Sequence, residues 1–239
     1  MRTLVALVVF AIVPAASGAQ PADEGNAAGR LLRDVASDYR GFLSIDSAET
    51  VGIGGFAAGA IHAADTSIAS GVQSSDPATL TGGNLYGSQL LQVPVAIAWW
   101  VVSAAAGSDR HAAAGRDLLR AQISVVSWTY AIKLATDRTR PNEDPRSFPS
   151  GHASTAFATA TVLQRHYGWK VGLPAFLAAA YSGLSRVTDN QHWASDVVFG
   201  AAVGISSGRT VTVRLGHAGV SVAPLAVPGG GGVLIAATR

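Results

Sequence analysis

Six apolar segments, each long enough for a helix, constrain the fold of this chain more than any other feature. Their alanine, leucine and valine content, without strict alternation, favours helix over strand. Clusters of glycine, serine, aspartate and proline separate them, as expected of breaks between helices. The sequence therefore predicts an all-α fold, a six-helix bundle. The segments cover residues 50–64, 88–106, 117–136, 151–166, 171–186 and 193–208.

The amino-terminal end has the pattern of an export signal. Arg2 precedes a ten-residue apolar run, Leu4 to Val13, and small residues follow it. This order is typical of a cleaved secretory signal peptide, and the run is too short to span a bilayer as a helix. We therefore interpret residues 1–19 as a signal peptide and residues 20–48 as a linker with a short amphipathic helix. The protein is expected in the periplasm or at the outer face of a bacterial inner membrane.

The carboxy-terminal end changes character after the predicted helical domain, residues 49–210. The pattern becomes strand-like from Arg209 to Leu215 and from Val220 to Val227, and a short apolar run follows a glycine run. Strand-length runs joined by glycine are typical of a hairpin. Residues 211–239 are therefore predicted to form a β-like tail, a short hairpin added to the bundle.

Composition excludes several kinds of chemistry. The chain has no cysteine, so it has no thiol nucleophile and no cysteine-based zinc site. Lys and Arg number 17 against 15 Asp and Glu, without a basic run, which predicts no nucleic-acid partner. The sequence supplies no other cluster of metal ligands. Catalysis would then use His, Asp, Ser, Lys and Arg.

Two clusters of polar residues lie at predicted helix ends. Lys133 is near the end of the third segment, and Arg140 lies in the loop that follows. Pro141 prevents the helix from continuing. Alone, these cations would be ordinary partners of a helix carboxy-terminus. The second cluster is Pro149-Ser150-Gly151-His152, directly before the fourth segment. Ser150 is a natural N-cap, and the free N–H groups after it are suited to binding phosphate, although a plain capping motif has the same residues.

A third cluster combines Ser185 and Arg186 with His192 and Asp196. On a helix that begins near His192, Asp196 would lie on the same face, where a carboxylate fixes the imidazole tautomer. Such a pair is often only a surface contact. A helical hairpin that turns near Gly168 would return this cluster to the second one. Together the clusters supply cations, a helix N-terminus and two histidines, which suits the cleavage of a phosphate ester.

The order of these clusters resembles the phosphatidic acid phosphatase type 2/vanadium haloperoxidase superfamily. Its signature is K-x6-R-P, then P-S-G-H, then S-R-x5-H-x3-D, and all eleven fixed positions are present between Lys133 and Asp196. The similarity covers the motifs closely and the six-segment layout of residues 50–210 loosely. It implies the six-helix fold of that superfamily.

The resemblance implies a role for each matching residue. His192 would attack phosphorus and form a phosphohistidine, with Asp196 holding its ring, and His152 would be the general acid. Five of the other matching residues would bind the phosphoryl oxygens. They are Lys133, Arg140, Ser150, Gly151 and Arg186. The other histidines are interpreted as lying outside the site: His62, His111, His166 and His217.

The implied function is a phosphatase for phosphate monoesters or for lipid phosphates and pyrophosphates, and the resemblance implies neither a metal nor a cofactor. The alternatives are a vanadium-dependent haloperoxidase and a lipid phosphotransferase that uses the same site. The partner is then a phosphorylated small molecule or a lipid phosphate, and the oligomeric state is left open. Membrane association is also left open. Charge is scarce, and arginines such as Arg110, Arg116 and Arg120 come after the second segment, as in a positive-inside pattern. The apolar runs, however, are short for spanning helices.

Overall fold

Nine helices and one two-stranded hairpin make up most of the computed structural model, which describes residues 27–72, 80–213, 219–227 and 230–238. Two short helices, α3 and α4, lie between the longer ones. The helices are α1 (Ala27–Phe42), α2 (Ile45–His62), α3 (Asp65–Val72), α4 (Thr81–Gly87), α5 (Gln89–Ala105), α6 (Asp109–Thr136), α7 (Gly151–Tyr167), α8 (Trp169–Thr188) and α9 (Ala194–Val211).

The predicted all-α bundle is confirmed, since α2 and α5 to α9 correspond to the six apolar segments. The largest difference is in α6, which begins at Asp109 rather than near residue 117. Its first half carries arginines and an aspartate that the sequence suggested were part of a connection. Arg120 is instead buried, because its guanidinium is paired with Asp38 of α1 and Asp117. A buried, paired arginine does not report membrane topology, and this removes one member of the positive-inside pattern.

The carboxy-terminal prediction was partly wrong. Residues 209–211, expected to begin a strand, are the last turn of α9, which ends at Val211. The predicted hairpin is present farther along: β1 (Gly219–Val227) pairs antiparallel with β2 (Gly230–Thr238), Gly219 opposite Thr238. β-Branched residues in the last turn of α9 gave the strand-like pattern, and helix packing overrode it. The predicted signal peptide lies outside the described residues and stays a prediction.

Helix α7 lies at the centre of the bundle, against α6, α8 and α9. Its contact with α9 is unusually close, because three glycines of α9 spaced four residues apart face α7. A Cβ atom added to Gly200, Gly204 or Gly208 would lie 2.6, 2.3 or 2.6 Å from an atom of α7 or its N-cap residue. Side chains on these positions would push the helices apart. The glycine stripe therefore fixes the distance between the amino-terminal ends of α7 and α9, where the candidate site lies.

No single helix within the described ranges is both long enough and apolar enough to cross a membrane. Only the bent pair α4 and α5, which meet at 55°, passes that test of length and composition when taken together.

Candidate active site

The three sequence clusters meet at one end of the bundle. Lys133 is in the last turn of α6 and Arg186 in the last turn of α8, while Gly151 and His152 open α7. His192 lies just before α9 and Asp196 in its first turn. The backbone N–H of Ser150 donates to the carbonyl of Asp196 at 2.9 Å, which ties the second cluster to the third. The loop after α6 brings Arg140 to the same place. All eight predicted site residues are therefore brought together.

The relation between His192 and Asp196 differs from the predicted one. His192 is not on the helix, so the two residues do not share a helix face. A turn before α9 brings them together, with His192 Nδ1 3.6 Å from Asp196 Oδ2. The backbone N–H of Trp193 donates to the same oxygen at 2.9 Å. Half of a capping box thus sets the carboxylate opposite the imidazole ring.

Three groups besides His192 hold the Asp196 carboxylate, which is fully buried. Ser147 donates its hydroxyl to Oδ2, Trp193 donates its N–H, and Arg138 donates to Oδ1 at 2.6 Å. Burial alone would raise the pKa of this carboxyl. The His192 ring and these donors outweigh burial and hold the pKa of Asp196 below its usual value. Asp196 is therefore ionised at neutral pH.

The His192 ring is also buried, and burial lowers its pKa to about 4, with Lys133 and Arg140 acting in the same direction against Asp196. Its ring is therefore neutral at neutral pH. The facing carboxylate favours the tautomer with the proton on Nδ1. That tautomer leaves the lone pair of Nε2 available as a nucleophile.

Three cations surround this nucleophile. Lys133 Nζ donates to the carbonyls of Arg146 and Ser147 at 2.6 and 3.0 Å. Burial, together with nearby Arg140, lowers the pKa of Lys133 to about 8. Arg140 donates to Gln191 at 2.9 Å, and Arg186 donates to Asp189 at 3.2 Å.

Arg140 and Arg186 each have a buried hydrogen-bond donor that the described part of the protein does not use. Among the described residues, the buried Nε atoms of Arg140 and Arg186 have no hydrogen-bond partner. Buried donors without partners are costly unless a ligand satisfies them. Desolvation and the neighbouring Arg140 lower the pKa of Arg186 in spite of Asp189, another sign of uncompensated positive charge. The cluster thus has the electrostatics of an empty anion site.

The amino-terminus of α7 adds backbone donors to this site. Ser150 is its N-cap, and its hydroxyl oxygen accepts from the N–H of Ala153 at 3.5 Å. At Gly151, an added Cβ would lie 3.5 Å from Gln89 Nε2. The absence of a side chain leaves the helix N-terminus open to an anion, which such termini favour.

His152 has the most strongly depressed pKa of the site histidines. Burial lowers the pKa to about 3, and Arg186, His192, Arg140 and Lys133 add to the effect. It is therefore neutral in the empty site. A bound phosphate would offset the same cations and raise the pKa, so this histidine gains a proton only when an anion is present.

Sequence reasoning missed a layer of residues behind Asp196. Arg138 bridges Asp196 and Asp65, and Asp65 also contacts Ser195. His62, interpreted as outside the site, lies 3.0 Å from Arg138 Nη2 and 3.2 Å from Asp65 Oδ2. Arg138 lies between two signature positions, so the motif itself could have drawn attention to it. Asp65 and His62 are far away in sequence and only the fold reveals them.

Metal binding finds no support in the residues that the structure describes, because no group of three or more His, Asp or Glu side chains there could hold an ion. The cations of the candidate site would also repel one. Metal independence stays a prediction.

Comparison with known proteins agrees with the fold and the motifs. Residues 118–218 match the model of the PAP2 superfamily. A lipid A 1-phosphatase of Porphyromonas gingivalis is 38% identical over 100 residues, which cover 41% of this chain and 21% of that protein. A lipid A 4'-phosphatase of Helicobacter pylori is 40% identical over 58 residues, 24% of this chain and 29% of that protein. The chain thus spans less than a third of the length of either relative.

A solved structure extends the comparison beyond the motifs. The transmembrane PAP2 type phosphatidylglycerolphosphate phosphatase of Bacillus subtilis superposes with a TM-score of 0.56 at 21% identity. The superposition covers 74% of this chain and 95% of that structure, and it shows a common fold. The segment 118–218 thus matches the model of the PAP2 superfamily, and its signature residues are gathered at one end of the common fold.

Proposed function

We propose that this protein is a phosphatase that hydrolyses lipid phosphates through a phosphohistidine on His192, without a metal. One observation carries the proposal: a neutral, carboxylate-backed histidine lies among three cations, two of which have buried donors with no partner in the described structure. Such a site suits a trigonal phosphoryl group with three charged oxygens.

The chemistry follows from the positions of these groups. His192 Nε2 attacks phosphorus, and the bond from phosphorus to the ester oxygen breaks. Lys133, Arg140, Arg186 and the N-terminus of α7 neutralise the phosphoryl oxygens in the transition state. His152 gives its proton to the leaving alkoxide. Asp196 stabilises the positive charge that forms on the His192 ring.

A water molecule completes the reaction. It attacks phosphorus of the phosphohistidine while His152 accepts its proton, and the bond from phosphorus to Nε2 breaks. Phosphate leaves, and both histidines return to their starting protonation states. Neither a metal nor a cofactor takes part in this cycle, so the enzyme should work in excess chelator.

Two observations support a lipid rather than a soluble phosphate ester. The matching relatives are named as lipid A phosphatases. In addition, exposed leucines stand next to the site in sequence: Leu134 follows Lys133, and Leu184 precedes Arg186 by two residues, with exposures of 63% and 48%. An apolar rim favours a substrate whose phosphate is attached to acyl chains.

Exposed apolar residues also flank the junction of α4 and α5, which contacts His152. Gly87 lies against His152, since an added Cβ would be 3.0 Å from the Cβ of that residue. On either side of the junction, Leu85 and Leu90 are 61% and 90% exposed. We infer that lipid chains lie against this side of the site. With the predicted signal peptide, this supports an activity at the outer face of the inner membrane.

The test is phosphate release by the purified mature chain in excess chelator. One arm offers phosphatidate or lipid A in detergent micelles, and the other a water-soluble aryl phosphate. We expect faster turnover of the lipids and loss of both activities in His192→Asn. Equal rates in His192→Asn and wild type would overturn the mechanism, whereas turnover of the aryl phosphate alone would overturn the lipid assignment.

A second measurement tests the intermediate directly. After rapid quenching of a reaction with a ³²P-labelled substrate, the label should remain on the protein in base and be lost in acid, as for a phosphohistidine. The label should be absent from His192→Asn. Label on a residue other than His192 would contradict the proposed nucleophile.

A further inference from the structure

We propose that Arg138 and Asp65 are positioning residues, which hold Asp196 and through it the ring of His192 in the geometry for attack on phosphorus. Neither residue is one of the eleven fixed signature positions, although Arg138 lies between two of them. The proposal rests on the proposed function, because it assigns the support of the same nucleophile. It is carried by a chain of short polar contacts that runs from α3 to the first turn of α9.

Arg138 joins two carboxylates with the two arms of its guanidinium. Nη1 donates to Asp196 Oδ1 at 2.6 Å and to Ser195 Oγ at 2.8 Å. Nη2 donates to Asp65 Oδ2 at 2.8 Å. A guanidinium whose terminal nitrogens are both engaged by carboxylates is committed to the protein. Arg138 therefore differs from Arg140 and Arg186, whose Nε atoms have no partner within the described ranges.

Asp65 fixes the far end of this bridge. Its side chain is 4% exposed. Oδ1 accepts from the backbone N–H of Ser195 at 2.9 Å, and Oδ2 accepts from the Ser195 hydroxyl at 2.5 Å. The N-cap position of α9 is Trp193, whose side chain has no acceptor for a helix N–H. Asp65 thus supplies from α3 the acceptor that this helix start lacks in its own sequence.

The two oxygens of Asp196 consequently have separate partners. Oδ1 accepts from Arg138, while Oδ2 accepts from Ser147 and Trp193 and faces His192 Nδ1 at 3.6 Å. A carboxylate that is held on both oxygens cannot rotate about its Cβ–Cγ bond. Arg138 therefore keeps Oδ2 opposite the imidazole ring. This orientation selects the tautomer with a free Nε2.

Trp193 covers the bridge on its outer side. The Arg138 guanidinium lies 5.5 Å from the centre of the indole ring, within the range of a cation–π contact. The indole N–H donates to the carbonyl of Thr139 at 2.8 Å, which fixes the ring over the arginine. This cover limits the access of water to Arg138, whose side chain is 22% exposed. The bridge is thereby kept in one arrangement.

Arg138→Gln should lower kcat and leave KM nearly unchanged, because the residue contacts the support of the nucleophile and not the phosphate clamp. We expect a loss of about 10- to 100-fold, by analogy with the range found when the outer partners of metal-binding histidines are removed. Asp65→Asn should give a smaller loss of the same kind. The double variant should lose little more than Arg138→Gln alone, because the two changes break one bridge.

Two further variants separate positioning from folding. Arg138→Lys keeps the positive charge near Asp196 but cannot span both carboxylates, so it should recover only part of kcat. Arg33→Gln, on the exposed face of α1, removes a charge of the same kind far from the site and should keep the wild-type rate. Far-ultraviolet circular dichroism checks that each variant is folded.

The closing experiment measures the titration of His192 by NMR on histidine-labelled protein, with His192→Asn assigning the signal. Loss of the neighbouring cation in Arg138→Gln should move the midpoint to higher pH, together with the acid limb of kcat/KM. Arg138→Lys should move both less. This titration needs no turnover, so it tests the bridge even if wild-type protein releases no phosphate, the outcome that would overturn the proposed function alone.

The positioning role is overturned by either of two results in folded Arg138→Gln. One is wild-type kcat together with an unchanged His192 titration. The other is a raised KM with unchanged kcat, which would place Arg138 in the phosphate clamp.

Discussion

Two buried clusters in this molecule contain the same kinds of residues and differ in how completely they are paired. Each has an arginine between two aspartates, at least one of which also faces a histidine. The first consists of Arg138, Asp65, Asp196 and His192, at the candidate active site. The second, the α1–α6 cluster, consists of Arg120, Asp38, Asp117 and His166.

In the α1–α6 cluster, the contacts are close and mutually satisfied. Arg120 donates to both oxygens of Asp38, at 2.8 and 2.5 Å, and to Asp117 at 3.1 Å. The ring of His166 lies 2.9 Å from Asp117, well within hydrogen-bond distance. These contacts tie α1, α6 and α7 together. The cluster is therefore expected to contribute to stability.

In the candidate active site, the corresponding histidine and aspartate are farther apart. His192 and Asp196 are 3.6 Å apart, and His192 Nδ1 has no hydrogen-bond partner in the part of the chain described. Lys133, Arg140 and Arg186 add positive charge beyond what the local carboxylates balance. A histidine beside an aspartate is thus no sign of catalysis by itself. The candidate site differs from the α1–α6 cluster in the unbalanced cations and unsatisfied donors around its histidine–aspartate pair.

The largest difference between the two clusters is expected when the histidine of each is removed in turn. His192→Asn should lower kcat by about 1000-fold or more, since no other group can accept the phosphoryl. His166→Asn should keep kcat within about twofold and lower the free energy of unfolding, because it leaves Asp117 with one buried partner fewer. Phosphate release and thermal unfolding on both variants decide the matter. Equal effects on kcat would show that the two pairs are not functionally distinct.

The second prediction concerns the arginine of the α1–α6 cluster. Arg120→Met should lower the free energy of unfolding by about 3–5 kcal/mol, because it leaves two buried carboxylates without their cation. That loss corresponds to about 10 °C in Tm for a chain of this size. The rate per folded molecule should not change. The measurement is calorimetric unfolding, together with kcat at a temperature where the variant is folded.

Arg110→Met is the matched control for Arg120→Met on the same helix. Arg110 makes its contacts at the surface, donating to the carbonyl of His166 at 2.8 Å. Exposed interactions of this kind contribute about 1 kcal/mol or less. If Arg110→Met destabilised the protein as much as Arg120→Met, the contribution of the α1–α6 cluster would not come from its burial.

Helix bounds could be predicted from sequence where apolar segments have clear breaks. They could not be predicted where a tertiary contact determines the conformation. The six long helices follow from their apolar runs. The start of α6, residues 109–116, did not, because Asp109, Arg110 and Arg116 look like residues of a connection in the sequence alone. The end of α9 was missed for a related reason: the threonine and valine of its last turn prefer strands in isolation, but packing against α7 keeps them helical.

The candidate site shows the same division. Signature residues could be named from local sequence, since helix ends and spacing are visible there. The placement of His192 before α9, rather than on it, depends on a turn that ends in a capping contact with Asp196. Asp65 and His62 reach the site only because α2 and α3 pack against α9. Long-range contacts of this kind have no signal in a single sequence.

A third prediction uses the pH dependence of kcat/KM, which reports groups of the free enzyme. Protonation of His192 on the acid side, with its pKa of about 4, removes the nucleophile. As pH rises through about 8, Lys133 loses its proton, so the clamp loses a cation and the rate falls. We therefore expect a bell-shaped profile between these values for a phosphate ester that binds as the monoanion and brings the proton that His152 takes up on binding. Lys133→Arg should move the basic limb beyond pH 9, because arginine keeps its charge, at the cost of a lower plateau.

An unchanged basic limb in Lys133→Arg would assign that limb to another group. Substrate ionisation is separated by repeating the profile with an ester whose phosphate has a different second pKa. A limb that follows the substrate does not belong to Lys133.

The smallest expected effect tests whether the open cluster is an anion site at all. Inorganic phosphate at about 100 times its Kd should stabilise the wild-type protein by about 2.7 kcal/mol, or roughly 5–10 °C in Tm, because it binds only the folded state. Arg120→Met should unfold at lower temperature and show the same increase, since its site is intact. Arg140→Gln should show little increase, because the substitution removes a cation and the Nε donor that has no protein partner in the described structure. Sodium chloride at matched ionic strength controls for screening. An equal increase in Arg140→Gln and wild type would mean that phosphate acts elsewhere, and the difference between the two clusters would then lie in geometry and not in charge.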